Sequence, residues 1–255
     1  MKRLLAVGVV GVGLCISGVI APYTHAQDAL EIEEVDTYEE FFTSYLTENI
    51  SHVVDIPALL NEDLSIAKNV DGPQILIVHT YPDEIYSDGS SVVDAGETLT
   101  QLIQDTYNVQ VYHYYNEGYS LGRVGAYDRS STDIKDILQK YPTIEVVIDV
   151  QLDLAFEPNP NEFAQVSFVN GLDTYESENK GYNENVIENL ALSAQLKTAD
   201  NSVVGHIFVN PYTYNSDIDV KLLIANFGTD RDEIWQVENS LGIFTENLGE
   251  VLGLK

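Results

Sequence analysis

The sequence predicts an α/β domain with a mostly parallel central sheet flanked by helices on both faces. Short β-branched runs recur along the chain, and stretches with apolar residues at helical spacing separate them. The runs are apolar throughout instead of alternating with polar residues, which suits strands buried on both faces. With 44% hydrophobic residues over 255 positions, the chain has the material for one sizeable core.

The chain opens with a segment outside this pattern. Lys2 and Arg3 precede an uncharged stretch over 4–20, and Thr24-His25-Ala26 offers a small-residue cleavage site. These are the parts of a secretory signal, with cleavage expected after Ala26. An uncleaved membrane anchor is the alternative, because the apolar run is close to the shortest that spans a bilayer. Both readings put the rest of the chain outside the cytoplasm. Cys15, the only cysteine, lies inside the apolar run, so the mature part has neither disulfides nor thiol chemistry. Without Lys2 and Arg3 the formal charge of −29 becomes −31. Such a field repels phosphates and anionic membrane surfaces, which excludes nucleic acid as a partner.

Residues 27–70 read as an acidic, partly helical segment packed loosely or against the main domain, with the run Glu31-Ile32-Glu33-Glu34 and apolar residues at helical spacing over 38–46. Asp71-Gly72-Pro73 is a turn and the expected start of the main domain, 71–255. Strands are expected at 74–79, 109–113, 144–150, 164–169, 205–209 and 220–225. Val92, Leu99, Leu102 and Ile103 mark a helix ending near Tyr107. Ile134, Ile137 and Leu138 mark a second, with Ser131 as its cap and Pro142 beyond its end. Further helices are marked by Val186, Leu190, Leu192 and Leu196, and by Ile234, Val237, Leu241, Leu248 and Val251. Sites in such sheets gather at the carboxyl ends of strands, which here carry His79, the stretch Asp149 to Asp153, and Asn226.

The run Ile75-Leu76-Ile77-Val78-His79-Thr80 with Glu84 and Tyr86 resembles the opening motif of the stage II sporulation protein P family. So do Gly125-Ala126-Tyr127-Asp128-Arg129-Ser130, Lys140-Tyr141-Pro142, Val146-Val147-Ile148-Asp149, Ala164 to Val169, and Lys221-Leu222-Leu223-Ile224 with Gly228. The match spans about 73–252. The resemblance implies an exported zinc-dependent peptidoglycan amidase fold that cuts between N-acetylmuramic acid and L-alanine. It further implies a metal held by the first His of a His-Thr-His motif, a following Glu and a His on a later strand, with a Glu near the last strand as general base.

Carried over position by position, His79 and Glu84 remain as metal ligands. Tyr81 stands where the opening motif has its second His, Gln151 stands at the third ligand position, and Asn226 stands at the general base. Tyr81, Tyr127 and Arg129, all within matched motifs, are the candidate binding residues. A hydrolytic zinc wants three protein ligands and one open position. Gln151 offers a neutral amide oxygen, and Asn226 cannot take a proton from water. Zinc is therefore a doubtful cofactor, and the expectation is a wall-directed relative with hydrolysis impaired or lost, acting on peptidoglycan or on a cell-wall or membrane protein partner. The alternative is an active amidase in which Asp149 or Asp153 completes a His-Glu-Asp set. A third class is an interaction module that no longer touches the wall. Beside these stand plainer readings. His113 is a satisfied core or rim histidine and not a ligand, Asp133 and Asp136 are the polar face of a helix, and the tyrosines at 112–127 are either a sugar platform or strand packing with exposed loop aromatics.

Overall fold

The computed structural model describes residues 43–44, 55–153, 162–172, 184–199 and 202–255. The expected signal segment and most of the acidic segment lie outside these residues. Among them the chain forms one α/β layer structure around a seven-stranded sheet in the order β1-β6-β5-β7-β4-β2-β3. The strands are β1 (Thr43–Ser44), β2 (Ile75–Val78), β3 (Val111–His113), β4 (Val146–Gln151), β5 (Val166–Gly171), β6 (Val204–Asn210) and β7 (Lys221–Phe227). Every neighbouring pair is parallel except β5 and β7. The strand pattern is that of a buried sheet: β2 and β4 are buried at every position.

Among the described residues five α-helices accompany the sheet: α1 (Ile56–Leu60), α2 (Val92–Tyr107), α3 (Ala126–Lys140), α4 (Glu184–Ala199) and α5 (Ile234–Val251). Successive side chains on a strand point to opposite faces, so each strand feeds two cores. Ile75 and Ile77 of β2 and Ile148 and Val150 of β4 pack with Leu99 and Ile103 of α2, Leu190 of α4, and Leu241 and Phe244 of α5. Leu76 and Val78, with Val147, Leu222 and Ile224, pack with Ile134 and Ile137 of α3.

Two details depart from the sequence reading. α3 begins at Ala126, not after Ser131, because Gly125 takes a left-handed φ of 71° and turns the chain directly into the helix. β1 (Thr43–Ser44), paired with β6, also lies within the stretch expected at helical spacing over 38–46. Of the two placements open to the segment before residue 71, loose or against the main domain, residues 56–66 take the second. Ile56, Leu59, Leu64 and Ile66 are buried in the core shared by α2, α4 and α5. No helix among the described residues is long and apolar enough to cross a membrane.

Candidate functional site

β2 ends in His79, which is fully buried and follows Ile75 and Ile77 onto the face covered by α2. Its Nδ1 lies 3.0 Å from the carbonyl of Val150 and its Nε2 lies 2.8 Å from Nε2 of His113, at the end of β3. A carbonyl only accepts, so the His79 proton sits on Nδ1 and Nε2 accepts from His113. Nδ1 of His113 in turn faces Glu97 Oε2 at 3.3 Å. Gly96 of α2 makes the pairing feasible, since a Cβ there would stand 2.5 Å from His79 Nε2 and 2.8 Å from His113 Nε2. Burial, reinforced by the charge of His113, pushes His79 down from the usual 6.5 to about 3. Burial lowers His113 too, against the opposing pull of Glu97.

Thr80 and the polar residues of β4 turn to the other face, under α3. Asp149 is fully buried; its Oδ1 accepts from the Thr80 amide (2.9 Å) and its Oδ2 from the Thr80 hydroxyl (2.6 Å) and Gln151 Nε2 (2.8 Å). Burial raises its carboxyl to about 6, against the lowering effect of those bonds. Gln151 Nε2 also donates to the Tyr127 hydroxyl at 3.0 Å. In register, Gln151 sits beside Asn226, and Asn226 beside Ser167. Asn226 Nδ2 donates to Ser167 Oγ (3.1 Å), which donates to Asp153 Oδ2 (2.6 Å).

Glu84 lies in the loop between β2 and α2 and is buried. Its Oε2 accepts from the Leu152 amide at 2.8 Å and its Oε1 from Arg123 Nη2 at 2.6 Å. Burial outweighs these bonds and raises its carboxyl above the usual range. The Arg123 guanidinium also lies over the Tyr81 ring, 4.4 Å from its centroid. Tyr81 meets Tyr127 edge to face at 5.9 Å, and Tyr127 meets Tyr214 at 5.0 Å. Arg129 braces the segment that carries Arg123, donating to the carbonyls of Tyr119, Gly122 and Val124.

The strand ends therefore bring the candidate residues to one rim but sort them into separate networks. His79 pairs with His113 and Val150, and Glu84 with Arg123 and Leu152. Gln151 joins Asp149 and Tyr127, while Asp153 and Asn226 meet at Ser167. Among the described residues no group of three His, Cys, Asp or Glu side chains is disposed to hold a metal ion. The donor set among the described residues, bonded as it is, does not fit a catalytic zinc. The lone pair of His79 already faces His113, and one oxygen of Glu84 already faces a guanidinium. Sequence reasoning missed Gly96, Glu97 and Arg123, whose roles depend on partners distant in the chain. It read Asp133 only as part of the polar face of a helix; its Oδ2 accepts from the hydroxyls of Tyr114 and Tyr119 and from Asn116.

A family model described as stage II sporulation protein P matches residues 24–249. No protein of curated function matches the sequence. Among solved structures, the CwlD amidase from Clostridioides difficile, in complex with the GerS lipoprotein, is 12% identical. That alignment covers 71% of this chain and 100% of the other, with a TM-score of 0.42. The catalytic domain of CwlV, an N-acetylmuramoyl-L-alanine amidase from Bacillus (Paenibacillus) polymyxa var. colistinus, is 7% identical over 71% of this chain and 99% of its own, with a TM-score of 0.45. A 5'-methylthioadenosine/S-adenosyl homocysteine nucleosidase from Campylobacter jejuni also matches. It is 10% identical over 71% of this chain and 98% of its own, with a TM-score of 0.37.

Proposed function

From the premise that this chain belongs to the stage II sporulation protein P family, we propose that it is an exported, amidase-like protein of the cell wall. In this reading its zinc-dependent hydrolysis is impaired or lost, and it serves by binding peptidoglycan or a wall or membrane protein partner. One observation carries the reading: every polar group inherited at the family's ligand positions is bonded within the protein. His79 uses both ring nitrogens, Glu84 is neutralised by Arg123, and Gln151 is tied to Asp149 and Tyr127. Asn226 at the base position has no proton-accepting lone pair of useful basicity, so it does not activate water. The rival set of His79, Glu84 and Asp149 or Asp153 needs those carboxylates released from Thr80 and Ser167. Each release would leave a buried donor unpaired, at a cost of about 1–3 kcal/mol.

The test is direct. Purified residues 27–255, incubated with peptidoglycan and zinc, are expected to release no stem peptides above a His79→Ala control, yet to sediment with the insoluble wall. Release above that control, together with stoichiometric zinc in the purified protein, would instead favour the rearranged active site.

A further inference from the structure

The contact between Arg123 and Glu84 has the form of a ligand in a binding slot, with the ligand supplied by the protein itself. The slot has two walls. One is the Glu84 carboxylate, buried and aimed by the Leu152 amide on one oxygen. The other is the face of Tyr81. A carboxylate beside an aromatic face is a recognition device for an organic cation, through charge on one side and the ring quadrupole on the other. Arg123 fills it from a short strap over 122–125. The strap hangs between Gly122, at φ 124°, and Gly125, at φ 71°, conformations that side-chain-bearing residues rarely take. Little apolar contact holds it down, for Val124 at its tip is 95% exposed. Its other anchors are the Gly122 and Val124 carbonyls, which accept from the Arg129 guanidinium, and the Arg123 and Gly125 carbonyls, which accept from the Ala126 and Arg129 amides. An open pocket of about 580 Å³ is lined by Pro82 and Asp83, of the loop that carries Tyr81 and Glu84, together with Asp94, Tyr115 and Glu117. The charge of Asp83 acts on both Glu84 and Arg123, so further negative charge borders the slot.

The geometry points to a cation-binding slot at Tyr81 and Glu84 that takes a protonated amine, with Arg123 as a resident stand-in that keeps it closed until the strap is displaced. Resting on the proposed wall reading, the ligand is an amine carried by the peptides of the wall. A metal ion is not the occupant, because with Arg123 displaced the slot presents one carboxylate oxygen and an aromatic face instead of a ligand cage.

Chemical rescue tests the slot without reference to the wall. Thermal unfolding of residues 27–255 is compared for wild type, Arg123→Ala, Arg123→Lys and Arg123→Ala/Glu84→Gln, with methylguanidinium chloride or sodium chloride at equal ionic strength. Arg123→Ala is expected to melt below wild type, and methylguanidinium to recover at least half of that loss. Wild type and the double variant should gain nothing, and Arg123→Lys should melt near wild type because an ammonium refills the slot. Rescue matched by sodium chloride, or rescue undiminished in the double variant, overturns the proposal. So does an Arg123→Ala protein that melts with wild type. If Arg123→Ala does not fold, Arg123→Lys carries the decision: a Lys variant that melts no higher than Arg123→Gln overturns it.

A second arm addresses the ligand. Arg123→Ala should sediment with native peptidoglycan more fully than wild type, and acetylating the wall amines should abolish the difference. Rescue without any wall binding would keep the slot and remove the wall reading. Wall binding that ignores acetylation would remove the amine as its ligand.

Discussion

Gly96 is the residue on which the His79 and His113 pairing depends. Alanine is the better helix former by about 1 kcal/mol, so on propensity alone Gly96→Ala would strengthen α2. The Cβ would however stand 2.5 Å from His79 Nε2, with both rings held by further bonds. Overpacking of this kind costs about 1–3 kcal/mol and wins. A lower urea midpoint for Gly96→Ala, with unchanged slope, is the expected result. His79 and Asp149 leave opposite marks on stability against pH. The folded-state value of His79, about 3, lies below its ordinary 6.5. Its stabilising contribution is thus complete above pH 6.5 and is lost as pH falls towards 3, by on the order of 4 kcal/mol. The folded-state value of Asp149, about 6, lies above its ordinary 3.8. Its contribution is complete below 3.8 and is lost as pH rises through 6, by roughly 3 kcal/mol. Urea unfolding from pH 3 to 8 should show a flattened acid limb in His79→Asn and a flattened fall from about pH 4 to 6 in Asp149→Asn.

At the scale of elements, Asp133 ties α3 to the segment that follows β3. One carboxylate oxygen accepts from Tyr114 at 2.7 Å, Tyr119 at 2.6 Å and Asn116 at 3.0 Å. Asp133→Ala should therefore cost about 2–3 kcal/mol, since it orphans several donors at once. Asp136→Ala on the same helix should stay within about 0.5 kcal/mol, as at an ordinary surface position. Parallel denaturant melts of the two variants check this. The pair also marks how far the sequence could be read. Both aspartates look alike in the helical pattern, and only the fold tells which one faces tyrosines. Strands and helices were legible because their signals are local: an apolar run for β2, helical spacing for α2, α4 and α5. The antiparallel placement of β5 was not, because a buried run carries no direction. The start of α3 was missed because its signal was the backbone conformation of Gly125 and not a capping side chain. The site was legible as an inventory of positions and not as a geometry. His79 reaches His113 across 34 positions and Glu84 reaches the Leu152 amide across 68. Strand alternation then sets His79 on one face of the sheet and Asp149 and Gln151 on the other.

At the scale of the whole molecule, the fold does not begin at the Asp71-Gly72-Pro73 turn. α1 lies on α4, where Gln195 Nε2 donates to the carbonyls of Leu59 and Glu62, each at 2.9 Å. The chain then runs beneath the end of α5, the Ile66 amide donating to Leu252 at 3.1 Å, and the Ala67 amide reaches Glu145 at 3.0 Å. Ile56, Leu59, Leu64 and Ile66 are each at most 3% exposed. Burying one such side chain contributes about 1.5–3 kcal/mol, so removing the set takes away an amount comparable with the roughly 5–15 kcal/mol that holds a domain together. The strong negative charge leaves little surplus, because self-repulsion opposes the compact state. A fragment of residues 71–255 should accordingly lack a cooperative thermal transition, while residues 55–255 should melt cooperatively near the longer protein. Circular dichroism melts of the two fragments decide it: a cooperative transition in 71–255 at the same temperature would mean that α1 and the segment after it merely rest on a core that is complete without them.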